Sequence, residues 1–360
     1  MTAHPLEALG WRPSLAHDLA AWAAADPLDG DAAEVGRIVR VDRGACTVTT
    51  AGGDRRAAIP RRLAPFPGAL TLGAPPTPAV GDWAVLRDGV VAALLPRSSA
   101  IVRESPDRAT ASQVLAANVD TVFVVVALGG APRLRRIERF LALAWGSGAA
   151  PVVVLAKADL SADLEADVAL TASAALGVDV HPISAPSGEG LEALAEHVRP
   201  GETVALVGGS GAGKSTLVNA LLGEDRLATQ AIRSDGKGRH TTTHRELVLL
   251  PGGGLLLDTP GMRALALWGA DEGIEATYAD IEALAADCRF SDCAHAGEPG
   301  CAVVEAVESG VLAAERLEGY AKLQREQRWL ASRQDARLRA EETRRIRAFA
   351  KELKRQPYRS

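Results

Sequence analysis

The most informative part of the chain is a glycine-rich segment that fits the phosphate-binding pattern G-x-x-x-x-G-K-[ST]. It follows the apolar run TVALV and precedes the helix-forming run TLVNALLG. Glycines let such a loop curl until successive backbone amides point at phosphate oxygens, and the following helix adds the positive end of its dipole. We expect Lys214 to reach the β- and γ-phosphates and Ser215 to bind Mg²⁺. The predicted nucleotide-binding residues here are Gly208, Gly209, Ser210, Gly211, Ala212, Gly213, Lys214, Ser215 and Thr216.

A second phosphate-related motif lies further along the chain, where the run LLLD predicts a short strand that ends at Asp258. An aspartate in this position holds Mg²⁺ through water, and the amide of Gly261 is placed to sense the γ-phosphate. The polar segment GKGRHTTT lies between the two motifs, and Thr242 or Thr243 is the candidate to reach the same metal. These motifs bind phosphate and magnesium but do not distinguish GTP from ATP.

Two segments that precede the phosphate loop have the character of base-reading loops. Ala156-Lys157-Ala158-Asp159 follows the buried strand PVVVL, so the Asp159 carboxylate can accept from the guanine N1–H and 2-amino groups while Lys157 packs beside the base. Ser184-Ala185 follows the strand-like run DVHPI and could present a backbone N–H to the guanine carbonyl, a group that adenine lacks. Each pattern is common by itself, but the two together at strand ends favour GTP.

The order of these motifs predicts a rearranged core. In an ordinary GTPase the phosphate loop comes first and the base-reading segments last, whereas here Lys157 and Ser184 precede Gly208. A sheet closed by short connections can be recut at an exposed loop without altering its packing, so we interpret the core as circularly permuted. The residues after Gly261 then lead directly into the C-terminal region, and we expect movement of this segment to be conveyed there.

A compact group of metal-ligand types follows in the C-terminal region. Cys288, Cys293, His295 and Cys301 offer three thiolates and one imidazole, which suits one tetrahedral Zn²⁺ in a closed, structural site. The alternative is a set of buried structural cysteines with a surface histidine.

The elements that position these residues divide the chain into four predicted parts. Residues 1–34 form an N-terminal extension, residues 35–100 read as a small β-barrel, and residues 101–268 alternate strands and helices as in an α/β core with a parallel sheet. Residues 269–360 are helical, contain the cysteine cluster and end in a basic helix. An apolar stripe on that helix would dock on its own domain or on RNA: Leu317, Tyr320, Leu323, Leu330, Leu338, Ile346, Phe349 and Leu353.

Charge and hydropathy narrow the class of protein. The formal net charge is -5, 47% of the residues are hydrophobic, and no apolar run approaches the roughly 20 residues that a membrane span needs. We therefore expect a cytoplasmic protein without a membrane partner, acting as a monomer. One arginine cluster, opposed only by Asp42 and Asp54, predicts a phosphate-facing surface on the barrel, with an unrelated arginine-rich surface as the alternative. Its members are Arg37, Arg40, Arg43, Arg55, Arg56, Arg61 and Arg62.

The succession of barrel, permuted core and cysteine cluster resembles the ribosome small-subunit-dependent GTPase A family. The segments that carry the resemblance are Ala117–Asp120 (ANVD), Arg136–Leu141 (RIERFL), Gly238–Thr243 (GRHTTT), Asp258–Gly261 (DTPG) and Cys288–Cys301, which includes Glu298-Pro299-Gly300. The resemblance implies a barrel of the oligonucleotide-binding type. It also implies Mg²⁺-dependent hydrolysis of GTP to GDP stimulated by the 30S subunit, contact with 16S rRNA, and a role late in small-subunit maturation.

Two departures qualify this resemblance. Ala156 stands where the family usually has an asparagine that links the base to the phosphate loop, so we expect weaker nucleotide binding with guanine selectivity kept by Asp159. Met262 stands where many GTPases have a water-orienting glutamine, and His240 is our candidate for the catalytic group because imidazole can orient water near neutral pH. The alternative for His240 is a purely structural role. The alternative function is an rRNA-binding module that holds nucleotide without turnover.

Overall fold

The computed structural model describes residues 4–25, 33–63, 66, 77–104, 112–223, 246–258 and 271–334. These residues form an N-terminal β-barrel, a mainly parallel sheet with helices on both faces, and a C-terminal helical region. Within this part of the chain, no helix combines the length and the apolar character needed to cross a membrane.

Hydrogen bonding closes the N-terminal strands into a barrel. β1 pairs with both β2 and β4, and β3 pairs with β5 in parallel. Alternate residues of β2 are buried, namely Cys46, Val48 and Thr50, as expected of a strand with one face toward the interior. The barrel predicted from the sequence is thereby confirmed. Its strands are β1 (Glu34–Asp42), β2 (Ala45–Thr50), β3 (Gly53–Ala58), β4 (Trp83–Arg87) and β5 (Val90–Leu94).

The N-terminal extension packs on this barrel. It contains a short 3-10 helix (Glu7–Leu9) and helix α1 (Pro13–Ala25). The buried side chains of Leu6, Leu15 and Trp22 form one apolar cluster with residues of β4. The extension thus covers apolar barrel surface, a role that its sequence did not disclose.

The phosphate-loop strand lies inside the core sheet, between one strand that precedes it in the chain and one that follows it. A ribbon of β6 (Ala100–Glu104) and β7 (Ser112–Ala117) precedes this sheet in the chain. The core strands have the order β10-β9-β8-β11-β13-β12, and β12 pairs with β1 of the barrel. All neighbours among these core strands are parallel except β12 and β13. β11, which leads into the phosphate loop, lies between β8 and β13, so the permuted order is confirmed. The strands are β8 (Thr121–Ala127), β9 (Ala150–Ala156), β10 (Val180–Ile183), β11 (Thr203–Gly208), β12 (Glu246–Leu249) and β13 (Leu255–Asp258).

Helices cover both faces of the core sheet, so its central strands are apolar on both sides. Val122 and Val124 of β8 join the cluster that includes residues of α2, whereas Phe123 and Val125 join the cluster that includes residues of α4 and α5. The core helices are α2 (Leu134–Gly146), α3 (Leu164–Ala174), α4 (Leu191–Ala195) and α5 (Lys214–Leu222).

The C-terminal helices pack directly on α2. A β-carbon on Gly273 would lie 2.1 Å from the carbonyl oxygen of Ala142, so only glycine permits this close crossing. Tyr320 and Leu323 are buried in the same cluster, so the described start of the apolar stripe docks on its own domain. The helices are α6 (Asp271–Thr277), α7 (Ala279–Ala285), α8 (Ala302–Glu308) and α9 (Ala314–Gln334).

A buried ion network reinforces this junction. Arg316 of α9 contacts Glu138 of α2 at 3.1 Å and Asp280 of α7 at 2.6 Å, and it also donates to the Thr277 carbonyl. Burial raises the pKa of Glu138, while Tyr278 and Arg316 act in the opposite direction. Because both carboxylates share one guanidinium, removal of Arg316 would leave buried negative charge unpaired.

The arginine cluster of the barrel does not behave as one surface. Arg37 is 2% exposed and donates to the carbonyls of Leu9, Gly81 and Asn118. Burial lowers its pKa to about 10, so it remains charged near neutrality. The expectation that Arg37 belongs to a phosphate-facing surface is therefore wrong, because it instead ties the extension, the barrel and the start of the core together.

Three further arginines of the cluster are engaged with carboxylates. Arg40 and Arg56 both pair with Asp42, and Arg55 pairs with Glu34. Arg43, Arg61 and Arg62 are exposed, and no ion pair involves them within the described residues. The surface available for a phosphate partner is thus smaller than the sequence indicates.

Candidate functional site

The phosphate loop runs from the end of β11 to the start of α5, and glycines allow its shape. Gly208, Gly211 and Gly213 have φ angles of 151°, 74° and 97°, which other residues rarely adopt. Gly208 also lies against β8, where a β-carbon would approach the Val125 carbonyl oxygen to 2.3 Å. The loop therefore depends on glycine both for its turns and for its close approach to the neighbouring strand.

The lysine of the loop bridges its first residues. The Lys214 ammonium donates to the carbonyl oxygens of Gly208 at 2.9 Å and Gly209 at 2.7 Å. Ser215 follows in the first turn of α5 with its side chain exposed, which suits a hydroxyl ligand for Mg²⁺. Ala212 is buried in the core, so the loop is anchored in the middle as well as at its ends.

An arginine from α2 lies on the same loop. A β-carbon built on Gly209 would be 2.6 Å from an Nη atom of Arg136, so the guanidinium covers this side of the loop. A cavity of about 450 Å³ opens here between the β8–α2 connection and the loop, with Arg136, Gly209 and Ser210 in its lining. Arg136 also lies over the Phe140 ring at 5.9 Å. The guanidinium therefore lines the cavity beside the phosphate loop.

Sequence reasoning missed this role for Arg136, which it used only as part of the family resemblance. A signal was available, because Gly208 pairs with Val125 of β8 and α2 follows β8 in the chain. The first turn of a helix after a strand adjacent to β11 is expected near the phosphate loop.

The base-reading segments lie at the carboxyl ends of two neighbouring strands. Ala156 ends β9 opposite Ile183 of β10, so Lys157 and Ser184 begin adjacent loops. Lys157 adopts a left-handed conformation with φ of 62° and opens a short 3-10 helix (Ala158–Leu160) that presents Asp159 with its side chain exposed. The second segment therefore lies beside the first, as the sequence predicts.

The base side and the phosphate side meet at Ala156. This residue is 3% exposed, and its β-carbon lies 3.5 Å from the position of a β-carbon on Gly213. The segment that leads to Asp159 thus contacts the phosphate loop, although the two are more than fifty residues apart in the chain. Permutation has left the two halves of one pocket together.

The second base-reading loop is a pre-formed turn. The Ser184 amide donates to the Glu189 carbonyl at 3.0 Å, and the Gly188 amide donates back to the Ser184 carbonyl at 2.9 Å. The Ser184 amide is therefore occupied within the protein. Of the Ser184 and Ala185 amides, the Ala185 amide is the one that, within the described part of the chain, remains to donate to a guanine carbonyl.

Several predicted site residues cannot be placed. His240, Thr242, Thr243 and Gly261, together with Met262, lie outside the described residues. Asp258 ends β13, next to the phosphate-loop strand, and only its backbone is described.

The predicted zinc ligands converge in the C-terminal region. Ligands at about 2.0–2.3 Å from a tetrahedral Zn²⁺ lie about 3.4–3.8 Å from one another. Cys288 Sγ is 3.9 Å from Cys301 Sγ and 3.7 Å from His295 Nδ1, and the Cys301 to His295 distance is 3.4 Å. Cys293 completes the group, whose ligand atoms all lie within 4.8 Å of one another. The donor set and its spacing fit zinc.

Backbone geometry around the cluster supports this fit. His295 has a φ of 55°, and the Glu298 carboxylate accepts from the amides of Ala294 and Ala296. Burial opposes ionisation of Cys288, but the amides of Val303 and Ala302 and the neighbouring thiols lower its pKa below the ordinary value. A low thiol pKa favours the thiolate that binds metal.

Comparison with known proteins agrees with this geometry. The model of the family described as RsgA GTPase matches residues 94–268. The solved structure of YjeQ from Thermotoga maritima is 27% identical, with a TM-score of 0.56 over 81% of this chain and 97% of that one. YloQ, described as a circularly permuted GTPase, has a TM-score of 0.58 at 24% identity, and the match covers 84% of this chain and 97% of YloQ. Fold and site together define a circularly permuted GTPase.

Curated relatives narrow the class further. The small ribosomal subunit biogenesis GTPase RsgA of Streptomyces avermitilis is 48% identical over 94% of this chain and 90% of its own length. The protein of the same name from Streptomyces coelicolor is 49% identical over 93% of this chain and 90% of its own length. The chain belongs to the RsgA GTPase family.

Proposed function

We propose that this chain hydrolyses GTP in the biogenesis of the small ribosomal subunit, and that the subunit stimulates the reaction. The biogenesis role is the one that the names of the curated relatives state for them. The observation that carries the nucleotide assignment is the close approach of Ala156 to Gly213, because it places a guanine-type loop beside a phosphate loop.

Each part of the pocket has a distinct task in this proposal. Amides of the phosphate loop and the Lys214 ammonium hold the β- and γ-phosphates, while Asp159 and the Ala185 amide recognise the guanine edge. Ser215, Asp258 and a threonine at 242 or 243 would hold Mg²⁺, which when bound neutralises charge on the phosphate oxygens. His240 is retained as the candidate that orients water, and undiminished subunit-stimulated turnover by His240→Ala would exclude it.

Arg136 supplies positive charge beside the terminal phosphate. Its guanidinium lies on Gly209 at the edge of the loop and also lies over the Phe140 ring. Negative charge on the phosphoryl oxygens is stabilised most by a donor already in place before the reaction. Arg136 therefore compensates in part for the absence of a glutamine at Met262.

Outside the nucleotide pocket, we assign a surface for rRNA, a metal site and an oligomeric state. The exposed Arg43, Arg61 and Arg62 support contact between the barrel and rRNA phosphates. The cysteine cluster would hold one structural Zn²⁺, because four protein ligands leave no open position for catalysis. Nothing in the proposal requires more than one copy of the chain, and light scattering would test whether it is a monomer.

The decisive experiment measures phosphate release from GTP by the full chain with and without purified small subunits. We expect slow release alone, stimulation by the subunit, and no competition by ATP. Binding without turnover, even with subunits present, would instead favour the rRNA-binding module.

Base recognition is tested separately with Asp159→Asn. The amide should weaken GTP binding and improve binding of xanthosine triphosphate, whose 2-oxo group accepts where guanine donates. Glu165→Gln, an exposed change nearby on α3, is the matched control. If Asp159→Asn and the control bind both nucleotides like the parent protein, Asp159 does not read the base.

A further inference from the structure

A second group of metal-ligand side chains lies on the core, away from the cysteine cluster. His181 belongs to β10, the edge strand of the sheet, Asp179 immediately precedes that strand, and His197 follows α4. One ligand atom from each of the three lies within 4.8 Å of the others. The nucleotide pocket uses none of them.

The two imidazoles face each other through the same nitrogen. His181 Nε2 and His197 Nε2 are 2.9 Å apart, and their ring planes are tilted by 56°. The Asp179 carboxylate approaches the His197 nitrogen at 3.8 Å. Two nitrogens bound to one tetrahedral Zn²⁺ at about 2.0–2.1 Å lie about 3.3–3.4 Å apart. The two Nε2 atoms would therefore have to move apart by about half an ångström to bind the ion.

The backbone that carries these ligands is held by the sheet. The Asp179 carbonyl accepts from the Val153 amide of β9 at 2.9 Å, and the His197 amide donates to the Leu194 carbonyl at 3.1 Å. Both histidines are half-buried, whereas the Asp179 side chain is 70% exposed. The imidazoles are thus pre-positioned, and the flexible carboxylate has the freedom to close on an ion.

Local electrostatics agree with a cation at this point. The carboxylates of Asp179 and Glu196 contribute negative charge near His181. The other explanation of the geometry is a single hydrogen bond between two neutral imidazoles.

We propose that Asp179, His181 and His197 form a second metal site, which takes a borderline-soft divalent ion of the Zn²⁺ type. Two imidazoles and one carboxylate suit Zn²⁺, and water would complete the coordination. A bound ion would link the segment after α4 to β10, the edge strand, whose C-terminal end leads to Ser184. The site is independent of GTP hydrolysis, and its expected effect is on stability.

The test is zinc binding by the full chain whose cysteine cluster is already loaded. Calorimetric titration with ZnCl₂ should show one further saturable equivalent, and thermal unfolding should shift upward on its addition. His181→Gln combined with His197→Gln should lose both effects, and Asp179→Asn should weaken the binding. His17→Gln, which changes an exposed histidine on α1, should retain both.

A second measurement does not depend on variants. Co²⁺ added to the zinc-loaded protein should give a visible spectrum without the thiolate charge-transfer band that cysteine ligands produce. The proposal is overturned if the parent protein takes up no further equivalent, if the double variant binds it equally well, or if the added Co²⁺ shows thiolate ligation. Unchanged circular dichroism and GTP turnover in the double variant exclude a folding defect as the cause of a loss.

Discussion

The two halves of the nucleotide pocket are built in different ways. The phosphate half depends on backbone shape, with Gly208, Gly211 and Gly213 in conformations that side chains disfavour. In the proposed pocket, the base half depends on the exposed carboxylate of Asp159 and on one amide in the turn after Ser184. We expect the backbone cradle to tolerate few substitutions, and we expect the base half to keep its selectivity through Asp159 although residue 156 is an alanine. Substitutions in each half test this difference.

The largest effect is expected at the close approach of the loop to β8. Gly208→Ala introduces a β-carbon 2.3 Å from a backbone oxygen as well as an unfavourable φ. We expect unfolding free energy to fall by about 3 kcal/mol or more, with nucleotide binding lost.

Gly211→Ala is the matched control, since a β-carbon there meets nothing within 4 Å. It should cost only about 1 kcal/mol, from its left-handed backbone. Equal losses in denaturant unfolding of the two variants would show that the contact with β8 does not matter.

The next largest effect is expected at the lysine of the phosphate half. Lys214→Ala removes the ammonium that bridges two loop carbonyls and would hold two phosphates. We expect affinity for GTP to fall about a hundredfold, or about 2.8 kcal/mol, because charge-assisted hydrogen bonds are lost. Fluorescent-nucleotide titration measures this change, with the exposed Lys322→Ala as control. Unaltered affinity in Lys214→Ala would contradict the phosphate assignment.

A smaller and more selective effect is expected for Arg136. Arg136→Met keeps an apolar stem but removes the guanidinium, so turnover should fall by about thirtyfold, or about 2 kcal/mol, while GDP affinity changes little. Arg135→Met, next to it and paired with Glu318, is the control. Equal loss of GDP and GTP binding would assign Arg136 to the loop structure rather than to the terminal phosphate.

The smallest effect is expected in the base half. Ala156→Asn restores a polar link toward Gly213, and one added hydrogen bond of about 1 kcal/mol should tighten GDP binding about fivefold. Ala158→Asn, two residues further and half-buried, serves as control. A GDP dissociation constant that does not decrease in Ala156→Asn would mean that the missing asparagine is not what limits affinity.

Much of the fold and the site could be predicted because the relevant signals are local. The phosphate loop, the apolar strand before it and the cluster from Cys288 to Cys301 each occupy one short stretch whose residue types dictate its conformation. The order of these motifs indicates the permutation, because each motif can be recognised from its own short stretch of sequence. The sequence places both base-reading segments at the ends of strands, and parallel strands share a carboxyl edge with the strand that leads into the phosphate loop.

What could not be predicted depends on contacts between distant segments. The sequence groups Arg37 with six other arginines as a surface cluster. Pairing of β1 with β4 instead buries its side chain, which is 2% exposed and lies among three carbonyls. The occupied amide of Ser184 depends on a turn that closes five residues later. The N-terminal extension showed no function in its sequence because its partner is the face of β4.

The sequence by itself determined the class of chemistry, because the spacing of the phosphate-loop glycines and of the metal-ligand cysteines sets the conformation of short segments. Only the tertiary structure decided that Arg136 lies on Gly209, that α2 carries the C-terminal helices, and that His181 meets His197. The physical reason is that strand pairing and helix crossing set the distances between residues far apart in the chain, and residue spacing does not encode those distances.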